Sequence, residues 1–318
     1  MPKPFERALE LAERGRGSTR PNPVVGAVVV AGDEIVGEGW HERAGGPHAE
    51  VVALDAAGKS ARGATLYVTL EPCAHHGRTP PCADAVLAAG ISRVVVGAAD
   101  PNPKTNGRGF ARLREGGVDV ELLDGELARA ARRQNEAWRT WISAGRPFVS
   151  YKAAVTLDGR VVVPESRWVT GEESRRRVHE LRADADAVAV GMGTVRADDP
   201  RLDARGVEVD RQPRRLAFGR GPLPDGSELE LLSGPLHDEL ERLASEGVQS
   251  LLLEGGPTLA TAFLREGLVD KVLLFVAPTL AGSGPRWVDE LGGPIALSGL
   301  ESERIGGDAL LTGYIREP

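Results

Sequence analysis

Glu71-Pro72-Cys73-Ala74-His75-His76-Gly77-Arg78-Thr79-Pro80-Pro81-Cys82 and, upstream of it, Pro47-His48-Ala49-Glu50 decide how the rest of the chain reads. Both cysteines of the protein lie in the first piece, and four of its six histidines, His41, His48, His75 and His76, fall between positions 41 and 76. One imidazole nitrogen and two thiolates are a donor set that Zn²⁺ prefers, and three protein ligands leave a fourth position open to water. His48, Cys73 and Cys82 are therefore candidate metal ligands. Glu50, two residues beyond the histidine, is the candidate proton carrier. A closed structural site would need a fourth protein ligand. A disulfide between the two cysteines is disfavoured, because the N-terminus, Met1-Pro2-Lys3-Pro4-Phe5-Glu6-Arg7, has no apolar signal core.

Outward from these pieces, short apolar β-branched runs alternate with helical patterns. Residues 4–15 place Phe5, Ala8, Leu9 and Ala12 at helical spacing, and Arg20-Pro21-Asn22-Pro23 breaks that pattern. Val24–Val30 reads as a buried strand, and 34–39 pairs back on it as a hairpin. Pro47 suits the first position of a helix running to Ala57. A regular helix would turn His48 and Glu50 to different faces, so they are expected to meet a metal at the helix end. Thr65–Leu70 is the next strand, and Glu71-Pro72-Cys73 leaves its end, where ligands gather in open α/β sheets. A helix from Ala83 to Ala89, a strand over 93–97, a helix after Gly107-Arg108-Gly109, a strand over 118–121 and a helix over 125–142 complete a three-layer domain of residues 1–144.

Gly and Pro at Gly145-Arg146-Pro147 mark a boundary, and residues 145–318 form the second domain. Strands are expected over 148–155, 186–191, 251–253 and 270–277. Thr170-Gly171-Glu172-Glu173 reads as a capping box opening a helix to Arg182. Glycines at two strand ends, Gly191-Met192-Gly193 and Gly255-Gly256, let backbone N–H groups approach phosphate. The third glycine of a dinucleotide fingerprint is missing.

His48-Ala49-Glu50 followed by Pro72-Cys73 is the H-x-E…P-C arrangement of zinc deaminases, in which the glutamate moves protons and does not bind the metal. Their common signature ends C-x-x-C, whereas eight residues separate Cys73 from Cys82 here. The insert, Cys-Ala-His-His-Gly-Arg-Thr-Pro-Pro-Cys, resembles the deaminase half of the bifunctional deaminase/reductase family of riboflavin biosynthesis. Pro-Asn-Pro-x-Val-Gly at Pro21, Gly-x-Gly-x-His ending at His41 and Asp-Pro-Asn-Pro at Asp100 belong to the same resemblance. Further on, Thr156-Leu157-Asp158-Gly159, Gly191-Met192-Gly193-Thr194 leading to Asp198-Asp199-Pro200-Arg201-Leu202, and Glu254-Gly255-Gly256-Pro257 resemble the reductase half, in the same order.

The resemblance implies an α/β protein, with an N-terminal cytidine-deaminase-like three-layer domain and a C-terminal dihydrofolate-reductase-like domain. It implies Zn²⁺ on His48, Cys73 and Cys82, Glu50 as the catalytic acid/base, and Asn22, His41 and His75 as substrate contacts. In the second domain it implies NADPH against Ala154, Trp168, Thr194, Asp198 and Gly256-Pro257-Thr258-Leu259-Ala260-Thr261-Ala262. Lys152, Ser166, Arg182, Leu202, Arg205 and Glu254 would meet the sugar phosphate. The two arginines suit that anion by their permanent, forked charge. The implied reactions are deamination of 2,5-diamino-6-(5-phosphoribosylamino)pyrimidin-4-one and NADPH-dependent reduction of its ribosyl chain to ribityl. The stretch over 203–250 is short and generic, which leaves open a single-activity deaminase with a silent second domain.

The 318 residues carry a net charge of −7, distributed unevenly: residues 1–144 hold 18 Lys+Arg against 18 Asp+Glu, and the rest 21 against 28. Neither part has the basic stripe of a nucleic-acid binder. With no apolar run of the 18 or more residues that cross a bilayer, the expectation is a cytoplasmic enzyme of a small phosphorylated pyrimidine. A homo-oligomer stays open.

Overall fold

The computed structural model describes residues 3–75, 80–103, 105–209 and 211–318. The chain divides into two compact units, Met1–Ala144 with Pro318, and Gly145–Glu317.

In the first unit, α1 (Pro4–Glu13) leads into β1 (Gly26–Ala31) and β2 (Glu34–Trp40), followed by α2 (Ala49–Ala57), β3 (Thr65–Val68), α3 (Cys82–Ala89), β4 (Arg93–Val96), α4 (Arg108–Glu115), β5 (Asp119–Leu122), α5 (Gly125–Gln134) and α6 (Glu136–Ala144). The sheet order is β2-β1-β3-β4-β5. β1 pairs antiparallel with β2 and β3, while β3, β4 and β5 run parallel. Val28, Val29, Leu66, Val68, Val94 and Val96 are wholly buried, each removal from water contributing about 1.5–3 kcal/mol. α2 packs so closely on β2 that a Cβ at Gly37 would sit 2.2 Å from the Ala53 carbonyl oxygen and one at Gly39 2.5 Å from that of Ala49. Glycine at both positions is what lets the helix descend onto the sheet.

Two helix boundaries differ from the reading of the sequence. α2 begins at Ala49, not Pro47: His48 is its N-cap, extended at φ −76°, ψ 159°, and its carbonyl accepts the first helical bond from Val52. The face-splitting of a regular helix therefore does not separate His48 from Glu50. The helical pattern over 125–142 is broken at Asn135, which leaves helical geometry at φ −115°, ψ 24°. Its side chain clamps Val24, Oδ1 accepting the Val24 N–H at 2.9 Å and Nδ2 donating to the Val24 carbonyl at 2.9 Å. That anchors the Pro21-Asn22-Pro23 turn.

The second unit runs β6 (Phe148–Thr156), α7 (Glu172–Asp184), β7 (Ala187–Gly191), α8 (Met192–Asp198), β8 (Arg214–Phe218), β9 (Glu230–Leu232), α9 (Leu236–Ser245), β10 (Ser250–Leu253), α10 (Pro257–Arg265), β11 (Lys271–Ala277), β12 (Ser298–Ile305) and β13 (Asp308–Tyr314). Its sheet order is β12-β13-β11-β6-β10-β7-β8-β9. The strands from β11 to β9 are parallel, and the β12–β13 hairpin adds an antiparallel edge. The 203–250 stretch is thus structured, supplying β8, β9 and α9. The expected capping box at Thr170 does not form. Gly171 is the N-cap of α7, and Asp308 on β13 caps the helix end, its Oδ2 accepting from the Gly171 N–H at 2.8 Å and from Ser174 Oγ at 2.6 Å.

Candidate active sites

Two connections at one end of the first sheet, β2 to α2 and β3 to α3, bring the metal donors together. His48 stands at the head of α2, Cys73 follows β3, and Cys82 is the first residue of α3. Their ligand atoms all lie within 4.8 Å of one another. His48 Nδ1 is 3.0 Å from Cys82 Sγ and 3.7 Å from Cys73 Sγ. The hydrogen bond with Cys82 pulls the Cys73 pKa down, and the same contact, with burial, pushes Cys82 up. The Cys82 backbone N–H, at 3.3 Å from Cys73 Sγ, further favours a thiolate there. A divalent cation deprotonates coordinating thiols outright, and one nitrogen with two sulfurs at these separations suits Zn²⁺.

His48 and Cys73 border a cavity of about 510 Å³ whose wall also includes Asn22, His41, Glu50 and His75. Glu50 is buried, and burial pushes its carboxyl up to about 7, with His48 opposing and Cys73 reinforcing the shift. His41 is buried too, not a surface residue. Its Nδ1 donates to the Pro47 carbonyl at 2.9 Å, so Nε2 is left to accept from Asn22 Nδ2 at 3.2 Å. Burial lowers the His41 pKa, in keeping with this neutral tautomer. The ring stands edge-on to His48, 5.4 Å between centroids. His41 thereby ties the Asn22 turn to the residue preceding the metal histidine. His75 Nδ1 is 3.4 Å from Thr105 Oγ1. His76 lies outside the described residues. The sequence reading missed Asn102, Thr105, Trp138 and Trp141, which also line the cavity. Two tryptophans three apart in a chain with 4% aromatic residues were the available signal for the last two.

In the second unit, a cavity of about 700 Å³ opens at the carboxyl ends of β6, β7 and β10, the place where open α/β sheets take ligands. Lys152, Ala154, Trp168, Arg182, Thr194, Asp198, Arg205, Glu254 and Gly256 to Leu259 line it. Arg182 grips Glu254 with both prongs, Nε to Oε1 at 2.6 Å and Nη2 to Oε2 at 3.0 Å, and Lys152 Nζ is 3.6 Å from Oε2. Burial raises the Glu254 pKa, but Lys152 and Arg182 outweigh it and hold the carboxylate below its usual range. Arg205 pairs with Asp203 Oδ1 at 2.8 Å. α10 opens on Gly256 with no side-chain cap and Pro257 in its first turn, leaving its first N–H groups toward the cavity rim for a dinucleotide's phosphates.

Five expected contacts are not on this wall. Ala260 and Thr261 are buried as α10 turns into the core, and Ala262 follows them along the helix. Leu202 is buried at a positive φ of 53°. Ser166 is exposed, its Oγ donating to the Trp168 carbonyl at 2.8 Å. Conversely, Arg167, Arg175 and His179 line the cavity without having been read from the sequence. Both guanidiniums stand 5.0 Å from the Trp168 ring, a cation–π arrangement.

Residues 3–98 match the cytidine and deoxycytidylate deaminase zinc-binding region, and residues 147–311 the RibD C-terminal domain. The riboflavin biosynthesis protein RibD of Aquifex aeolicus is 43% identical over 310 residues, covering 87% of this chain and 86% of the relative. That of Mycobacterium tuberculosis is 40% identical, covering 96% and 94%. Among solved structures, Acinetobacter baumannii RibD superposes with a TM-score of 0.84 at 38% identity, covering 98% of this chain and 97% of that one. A diaminohydroxyphosphoribosylaminopyrimidine deaminase/5-amino-6-(5-phosphoribosylamino)uracil reductase of Thermotoga maritima gives 0.82 at 34% identity and the same coverage. With both halves of its length matched and its metal donors gathered, the chain belongs to the RibD family of bifunctional riboflavin-biosynthesis enzymes, a zinc deaminase joined to a reductase.

Proposed function

We propose that residues 1–144 hydrolyse the exocyclic amine of 2,5-diamino-6-(5-phosphoribosylamino)pyrimidin-4-one, and that residues 145–318 then reduce the ribosyl chain of the resulting aminouracil to ribityl with NADPH. The convergence of His48, Cys73 and Cys82 beside the buried Glu50 carries this reading. Zn²⁺ held by those three side chains supplies an acidified water, its pKa lowered from about 15.7 towards about 7. The Glu50 carboxylate takes a proton from water and returns it to the departing amine, which leaves as ammonia. Asn22, held by His41, and His75 orient the heterocycle.

In the second cavity NADPH supplies the hydride, and the protein supplies position and field. Thr194, Asp198 and the Gly256–Leu259 turn seat the cofactor. Glu254 holds Arg182 and Lys152 in place, so that with Arg205 they receive the sugar phosphate. The partner is a small phosphorylated pyrimidine. The balanced charge of the first unit speaks against nucleic acid, and among the described residues no helix is long and apolar enough to cross a membrane. Two free cysteines suit a reducing, cytoplasmic setting.

Anaerobic turnover of zinc-loaded protein with and without NADPH, following ammonia and nicotinamide absorbance together, tests both halves. Ammonia without NADPH, then NADPH loss only after deamination, is the expected result. Ammonia alone would reduce the second unit to a scaffold. Neither signal from zinc-loaded protein would overturn the assignment.

A further inference from the structure

Glu71 lies on the wall of the first cavity, two residues before Cys73, and neither the metal donors nor the proton transfer accounts for it. Its buried carboxylate accepts four backbone N–H groups: Gly109 at 3.0 Å and Phe110 at 3.4 Å on Oε1, Asp100 at 3.2 Å and Gly107 at 3.2 Å on Oε2. Gly107, Gly109 and Phe110 stand at the start of α4, where the first N–H groups have no partner within the helix, and Gly107 as N-cap has no side chain to offer them. Glu71 caps that helix from another element. A carboxylate has about four acceptor sites, so these donors saturate it and leave it nothing for a substrate. The junction is tight: a Cβ on Gly109 would lie 2.0 Å from the Pro72 carbonyl oxygen and 3.1 Å from Glu71 Oε1. Between the clamped ends, the 100–107 loop turns on the Asn102 N–H bonding to Asp100 Oδ1 at 2.8 Å, and carries Asn102 and Thr105 onto the cavity wall.

We propose that Glu71 is a positioning residue for the deamination: it couples the Cys73 ligand loop to the segment that brings Asn102 and Thr105 to the cavity, and so sets where these side chains stand against the heterocycle. This rests on the assignment of deamination to this cavity. Glu71→Gln keeps the shape but leaves one accepting oxygen and turns an NH₂ toward backbone donors. Glu71→Asp keeps both oxygens and withdraws them by one methylene.

The test uses the full chain, measuring deaminase kcat and KM, zinc per chain, and reductase rate on deaminated substrate. For Glu71→Gln, kcat/KM for deamination should fall roughly tenfold to a hundredfold, mostly through KM, with zinc content and reductase rate unchanged, and Glu71→Asp should recover part of the loss. Should the glutamine variant lose zinc through misfolding of the first unit, the same KM-weighted loss in zinc-replete Glu71→Asp supports the proposal. Unaltered deaminase kinetics in Glu71→Gln would overturn it, as would activity falling in step with zinc in both variants. A parent chain that releases no ammonia while its reductase turns over would refute the cavity assignment itself, a result separable from either.

Discussion

The two cavities are built on opposite principles. The first draws its chemistry from side chains that are rare in this protein: among the described residues both cysteines and three histidines, His41, His48 and His75, lie at or near it. The second is made from common residues, arginine, glycine, aspartate and glutamate, whose meaning comes from what holds them. Arg182 and Lys152 are polar groups of a cavity because Glu254 fixes them there. The same residues on an open helix face would be solvated charges. Rare residue types declare a site by their spacing, whereas common ones declare it through their partners.

The widest separation of the two cavities should come from Glu50→Gln. Removing a positioned acid/base costs about 10²–10⁴ in rate. Ammonia release should fall by that factor while zinc content and NADPH-dependent reduction of pre-deaminated substrate stay at the parent level. A matching fall in reduction would break the comparison, because the cavities would then not be chemically independent.

Glu254→Ala attacks the second cavity in the manner its construction suggests. Breaking a buried ion pair by removing one partner typically costs about 3–5 kcal/mol, and here two cations, Arg182 and Lys152, are left facing each other. The second unit's thermal transition should drop and the KM for the sugar phosphate rise, while deaminase kinetics hold. The pH dependence follows the same carboxylate. Its folded pKa is depressed below the ordinary 4.5, so its contribution is fully present above that value and is lost as pH falls through the lower, folded value. Acid titration of the second unit, followed by its melting temperature, should show this loss in the parent and a flatter profile in Glu254→Ala. Equal profiles would remove Glu254 from the account.

What the sequence discloses follows the same division. The donors, Glu50 and most strands are legible, because thiols and imidazoles at a fixed spacing and β-branched runs between glycines have few alternative readings. The cap of α7 is illegible: Thr170-Gly171-Glu172-Glu173 satisfies a local rule, and Asp308, 137 residues from Gly171, overrides it. β12 gives no period-two signal because Ser298 to Arg304 are all exposed. Arg167 and Arg175 become site residues only through the ring of Trp168, which the linear pattern does not connect to both.

Asn135 offers a finer probe of how the first cavity depends on distant support. Its amide satisfies both backbone groups of Val24, and orphaning buried polar groups costs about 1–3 kcal/mol. Asn135→Ala also restores helix propensity across the break between α5 and α6, which offsets part of that cost. The first unit should therefore lose only about 1–2 kcal/mol in denaturant melts. Deaminase KM should rise, because the Asn22 turn loses its anchor while the zinc donors do not.

Asp308→Asn should have the smallest effect, and it bears on whether the second unit's caps matter to its chemistry. The variant keeps one accepting oxygen but surrenders the charge that favours a helix N-terminus, an interaction worth about 0.3–1 kcal/mol. Gly171 N–H and Ser174 Oγ both converge on the same oxygen, Oδ2, so an amide oriented with its oxygen there can still serve them. The second unit's melting temperature should fall slightly and the reductase KM should stay put, because Arg182 sits near the far end of α7, anchored to Glu254. A KM shift as large as that of Glu254→Ala would mean that α7 moves as a rigid lever, and that the second cavity is held by its helix cap as much as by its ion pairs.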